Sequence, residues 1–156
     1  MARRKDAVSI KGFTRLQIVD KKTRKIMGDS GWHQNVLTDY GWEVCIAGCP
    51  IGASKSVQAA AIMLGSGSVP ASTTASLPMS LTSYYSSFAQ SSVIASSTAR
   101  MTVSFDGTRG AVKLSNVGIY ATSDGSLIAG NSYDSSNITT DQDVNVTYEF
   151  RYAAGS

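Results

Sequence analysis

"DVNVTYEFRY", residues 143–152, alternates without a break: Val144, Val146, Tyr148, Phe150 and Tyr152 against Asn145, Thr147, Glu149 and Arg151. Successive side chains of a strand point to opposite faces. Strict period two over ten residues therefore describes an antiparallel strand with one face in a core and one toward water. "RMTVSFD" (100–106) repeats the pattern, with Met101, Val103 and Phe105 against Thr102, Ser104 and Asp106. Between the two lie "AVKLSNVGIYA" (111–121) and "SLIAGNSYD" (126–134), joined through Asp124-Gly125, a hairpin turn signal. The apolar set changes parity between Leu114 and Val117, which predicts a bulge near Ser115-Asn116.

Working toward the N-terminus, the signals weaken. "FTRLQIV" (13–19) alternates imperfectly, "DKKTRK" is a polar turn, and "IMGDSGWHQN" (26–35) reads as a returning strand interrupted by Gly28 and Gly31. "LTDYGWEVCIAGC" (37–49) has the makings of a short helix, with Thr38 or Asp39 as N-cap and Pro50 as its stop. "VQAAAIML" (57–64) reads as a buried strand, after which Gly65 and Gly67 open a long loop. Residues 66–97 hold 12 serines in 32 positions, yet Leu77, Leu81, Tyr84, Tyr85, Phe88, Val93 and Ile94 make this no simple linker. An arm laid over a sheet, or a strand in a subunit contact, fits it better. Six to eight strands and one short helix are expected: an all-β, antiparallel two-sheet β-sandwich, jelly-roll-like, over residues 13–152. A basic N-terminal arm (1–12) and a short tail (153–156) flank it.

Composition agrees. The 156 residues suffice for one domain with its own core, and only 16% of them are charged. No run of 18 apolar residues is present, so no membrane span is expected, and the opening "MARRKDAVSIKG" lacks the apolar stretch of a secretory signal. Cys45 and Cys49 sit one turn apart if helical, a poor disulfide geometry, and two thiols with one histidine do not complete a zinc site. They read as reduced, half-buried side chains. Residues 1–25 carry nine Lys/Arg against Asp6 and Asp20, while the remainder carries more acid than base. Such a basic end suits a negatively charged partner surface, or is simply a solvated tail and hairpin turn. No aromatic interleaves it to stack on bases, which argues against direct nucleic-acid binding.

Three motifs imitate chemistry. Gly28-Asp29-Ser30-Gly31 spells the nucleophile segment of chymotrypsin-like proteases, with the chain's one histidine at His33. A base three residues away on one strand falls on the opposite face, and a triad draws its members from separate elements. A Gly-rich bend is the simpler reading. "GCPIGASKS" (48–56) echoes a phosphate loop, but three residues separate Gly48 from Gly52 and Lys55 comes too late. "DQDVN" (141–145) opens like a calcium loop but continues with Val146 where Gly is needed. No nucleophile–base pair, paired carboxylates or metal cluster survives, so neither an enzyme nor a cofactor is expected.

In their order along the chain, the segments resemble a family of tailed-phage virion proteins. Asn35-Val36-Leu37-Thr38-Asp39-Tyr40-Gly41 matches an N-x-[VIL]-T-x-x-G turn after a first hairpin. Gly65-Ser66-Gly67 with Pro70 matches a G-x-G loop after a buried strand, and Gly118-Ile119-Tyr120 matches a later Gly-Ile/Leu-Tyr/Phe strand. Each motif is short, and the resemblance, spanning roughly residues 13–152, lies in their order. It implies a non-enzymatic, often trimeric β-sandwich or jelly-roll subunit, made in the cytoplasm of a bacterial host and placed on the virion exterior. The expected role is that of a capsid decoration (cement) protein bound to the major capsid protein; a tail or head-fibre component, in contact with host glycans, is the alternative. Arg3, Arg4 and Lys5 are then candidates for capsid contact, and Tyr84, Tyr85 and Phe88 for the subunit interface, since aromatics dominate interface energetics. A stand-alone carbohydrate-binding module would instead display Trp32, Trp42 or tyrosines on its surface, although both tryptophans fit core packing more simply.

Overall fold

The computed structural model describes residues 8–43, 59–87, 90–95, 97–109, 112–121 and 126–154. Eleven strands are present among them: β1 (Val8–Asp20), β2 (Ile26–Asp29), β3 (His33–Gln34), β4 (Val36–Leu37), β5 (Ala59–Gly65), β6 (Ser80–Ser87), β7 (Gln90–Ala95), β8 (Thr98–Asp106), β9 (Val112–Ala121), β10 (Leu127–Ile138) and β11 (Gln142–Ala154). A single helical turn, α1 (Asp39–Gly41), and a 3₁₀ turn at Gly107–Arg109 complete the order. One sheet, A, runs β2-β1-β11-β8-β7 with β3 also on β1; the other, B, runs β4-β10-β9-β5-β6. The chain is thus an all-β, two-sheet antiparallel sandwich. Pairing is nested, β1 with β11, β4 with β10 and β5 with β9, as in a long hairpin rolled upon itself.

β11 forms as its alternation dictates. Val144, Val146, Tyr148 and Phe150 are buried between the sheets, facing Ile62, Leu64, Tyr84, Leu114, Val117, Ile119 and Ile128 from sheet B. Met101, Val103 and Phe105 of β8, and Leu16 and Ile18 of β1, complete the same layer. Full burial of each such side chain contributes about 1.5–3 kcal/mol. The parity break in β9 is real: Ser132 pairs Asn116 and Ser136 pairs Leu114, so the register slips opposite Ser115. The additional residues are carried by β10. The β9–β10 hairpin closes through Ala121 N–H donating to Ser126 O (3.0 Å), and its Asp124-Gly125 turn lies outside the described residues.

Several boundaries differ from the sequence reading. β1 begins at Val8, inside the expected arm, and pairs residue for residue with β11 to Ala154, inside the expected tail. The imperfect alternation of residues 13–19 has a physical cause. Inward positions 12 and 14 carry Gly12 and Thr14, because a Cβ at Gly12 would collide with Asn35 and the Tyr148 hydroxyl. Phe13 faces outward instead, under the guanidinium of Arg151 at 4.1 Å. The returning strand is split into β2 and β3 by a bend at Gly31, whose φ of +70° suits glycine. Of the expected helix 37–49, Leu37 belongs to β4, α1 holds Asp39–Gly41, and Trp42 and Glu43 continue it helically; Cys45, Cys49 and residues 48–56 lie outside the described residues.

The Ser-rich segment divides. Residues 66–79 lie over the outer face of sheet B, where Leu77 joins Ala61, Tyr120 and Leu127 in a second apolar cluster. Leu77 N–H donates to the Tyr120 hydroxyl (2.8 Å), Leu127 N–H to Ala75 O (3.0 Å), and Asn116 Nδ2 to Ser68 O and Pro78 O. β6 and β7 follow and form one edge of sheet B and one edge of sheet A.

Candidate functional site

The Asn35–Gly41 motif is where the chain crosses from sheet A to sheet B. Asn35 N–H donates to Gly12 O (2.9 Å) and its Nδ2 to the buried Tyr148 hydroxyl. Thr38 is 1% exposed. Its hydroxyl lies 2.6 Å from Leu127 O and 2.9 Å from Ile128 O, and accepts from Gly41 N–H (3.0 Å) as the N-cap of α1. A Cβ at Gly41 would run into the Ile128 carbonyl. Each fixed position in the motif therefore serves the crossing. Thr38→Val keeps the shape but removes the cap and the hydroxyl contact to Leu127 O, while Ile128 O keeps the Thr38 N–H. The expected loss is about 1–2 kcal/mol, read as a lower urea midpoint with unchanged m-value; an unchanged midpoint would discard the capping role.

The protease-like segment is a bend with its groups already engaged. Ser30 Oγ accepts from Leu16 N–H (2.9 Å) and donates to Gly31 O (2.8 Å). Asp29 is held by a two-pronged contact from Arg15 (Nε 3.0 Å, Nη2 2.5 Å) and by Gln17 (2.9 Å). Hydrogen bonding from Arg15 keeps the Asp29 carboxyl well below the usual range. His33 Nε2 meets the Ser30 carbonyl oxygen at 2.6 Å, not the hydroxyl. The bend at Gly31 overrides the expected separation onto opposite faces, since Ser30 and His33 line one open cleft of about 510 Å³ with Leu16, Ile18 and Asp134. The calcium-like segment is equally engaged: Asp143 pairs with Arg24 (3.2 Å) and Lys21 (3.9 Å). Among the described residues no group of three His, Cys, Asp or Glu is placed to hold a metal ion.

The named interface residues separate. Tyr84 is fully buried, its ring 5.9 Å from that of Phe105, so it belongs to the core and not to a surface. Tyr85, its neighbour on β6, points outward, 44% exposed, with its ring edge toward Tyr120. Phe88, Arg3, Arg4 and Lys5 lie outside the described residues. Both tryptophans, expected in the core, are at the surface, Trp32 at 37% and Trp42 at 46% exposure.

On the outer face of sheet A, strand register brings together side chains that are distant in the sequence. Strand register aligns Phe13–Glu149–Arg100, then Arg15–Thr147–Thr102, then Gln17–Asn145–Ser104 in successive rows across β1, β11 and β8. Glu149, 3% exposed, accepts from Arg100 at Oε1 (Nε 2.8 Å, Nη2 2.5 Å) and from Arg151 at Oε2 (Nε 2.8 Å, Nη2 2.7 Å). Burial pushes its carboxyl up, but the two guanidiniums outweigh this and hold it below the usual range. Arg151 also stands 5.1 Å over the Trp32 ring, a cation–π contact. Below this cluster, Gln17, Thr102, Ser104, Asn145 and Thr147 line a shallow groove of about 390 Å³. Comparison with protein-family models, with curated proteins and with solved structures found no match.

Proposed function

We propose that this chain is a non-enzymatic structural subunit of a tailed-phage virion, a decoration protein that binds the outer surface of the major capsid shell and stabilises it. The observation that carries this reading is where the family-like motifs fall. Asn35–Gly41 secures the crossing between sheets, Gly65-Ser66-Gly67 launches the loop over sheet B, and Gly118-Ile119-Tyr120 lies beneath that loop. The motifs thus specify one rigid β-body, which is what a shell-binding subunit requires, and none is spent on chemistry. The groups that imitate a hydrolase are engaged in strand and bend contacts, which supports a non-catalytic role. Tyr85 and Met79, exposed beside the outer face of sheet B, supply apolar surface for a homo-oligomer, with a trimer favoured. A tail or head-fibre component in contact with host glycans is the second reading; exposed Trp32 beside the polar face of sheet A favours it.

Gold labelling of intact phage particles, with an antibody raised to this chain, tests the proposal. Label spread over the icosahedral shell is expected. Label confined to the tail or one vertex would replace decoration by the fibre reading. Absence of label from intact and disrupted particles alike would end both.

A further inference from the structure

We propose that the outer face of sheet A is a carbohydrate-binding surface for an acidic oligosaccharide. Three observations converge on it. Thr102, Asn145 and Thr147 are half-buried side chains that make no hydrogen bond to other described residues, and exposed Ser104 beside them makes none either. Hydroxyls and amides both donate and accept, so this cluster matches a ligand dense in hydroxyl groups. Above it, Arg100 and Arg151 share one carboxylate and each commits only Nε and Nη2 to it, leaving Nη1 as a donor for a second carboxylate. Lys11, Arg15, Arg100 and Arg151 on this end face two carboxylates, Asp29 and Glu149, a surplus of two positive charges. Trp32 stands at the same end, exposed enough to pack against the apolar face of a sugar ring.

The dimensions agree. Four residue-to-residue steps along β11, from Asn145 to Glu149, span about 13 Å, roughly the length of three linked sugar rings. A nucleic acid fits less well, since among the described residues Trp32 alone offers an exposed ring on this face, and a run of bases needs several to stack on. The inference concerns this face alone and holds whether or not the chain decorates a capsid.

Titration of the whole chain, followed by backbone amide shifts, tests it with trimers of galacturonic acid and of sialic acid, a neutral glucose trimer and a short oligothymidylate. Expected is saturable binding of at least one acidic trimer below about 1 mM, with shifts confined to the outward residues of β1, β8 and β11. The double variant Thr102→Val/Thr147→Val removes two hydroxyls while keeping β-branched shape, and is expected to weaken binding at least tenfold with an unchanged melting curve. Equal binding of the neutral trimer, or of the oligothymidylate, would overturn the proposal. So would failure of both acidic trimers to saturate, or self-association of the chain through this face.

Discussion

Tyr84→Ala is expected to lower stability by about 3–5 kcal/mol, the range for truncating a large buried aromatic. For a chain of this size that corresponds to a fall in Tm of roughly 6–20 °C. Tyr84 is fully buried and packs on Phe105, between β6 of sheet B and β8 of sheet A. Removing its ring takes away the contact with Phe105 and leaves a cavity in a close-packed core. Against a total of 5–15 kcal/mol for ordinary domains, such a loss leaves a chain near its unfolding threshold. Tyr85→Ala is the control. Its ring is 44% exposed and touches Tyr120 by an edge, so its truncation is expected to cost about 1 kcal/mol or less. Under the decoration reading, Tyr85→Ala weakens subunit association and Tyr84→Ala does so only by unfolding the subunit. Thermal melts and sedimentation separate the two. A Tyr84→Ala chain that melted like the parent but failed to assemble would return Tyr84 to an interface and contradict the packing.

Why the sequence led to Tyr84 and Tyr85 together is instructive. Two adjacent aromatics on a strand must face opposite ways, but nothing in "SYYSS" says which faces the core. That choice is made by the register of β6 on β5, where Tyr85 pairs with Met63. The clearest strands were legible for the opposite reason. β11 and β8 carry one apolar face without exception, and a slip of one residue would expose all of it. The parity change in β9 was likewise legible, because a strand that moves its apolar set to the other face must break its ladder. β1 was misjudged at its start because its inward face narrows to Gly12 and Thr14 where Asn35 and Tyr148 fill the space. A small residue opposite a large one packs well but erases the hydrophobic signal. The tryptophans misled through composition: indole favours burial on average, yet Trp32 follows a bend and finds a guanidinium instead of a core. The polar side of each strand was legible, but the Arg100–Glu149 cluster on it was not, since the two are 49 residues apart and meet only through the register of β8 on β11.

Glu149→Gln is expected to cost about 2–3 kcal/mol at pH 7, and the cost is expected to shrink in acid. Glu149 is the one buried carboxylate among the described residues. Replacing it by a neutral isostere leaves Arg100 and Arg151 side by side without their shared anion. Breaking a fully buried pair costs about 3–5 kcal/mol; here the guanidiniums are 40% exposed, and water on their outer sides reduces the penalty. The pH dependence follows from direction. Burial raises the Glu149 carboxyl, the arginine hydrogen bonds lower it further, and the net position is below the usual glutamate value of about 4.3. A depressed carboxyl contributes stability that is fully present above its unfolded pKa and is lost as pH falls through its folded one. Asp106, held down to about 2 by Lys21 and the Thr108 N–H, and Asp29, lowered by Arg15, titrate in the same sense, though more exposed. Unfolding of the parent is therefore expected to become easier below about pH 4, continuing toward pH 2. The Gln variant lacks the Glu149 part of that slope, so the two urea-midpoint curves converge as the solution is acidified. A gap that stayed constant with pH would mean that the cost comes from packing, and that the carboxylate charge does not hold the two arginines on the face of sheet A.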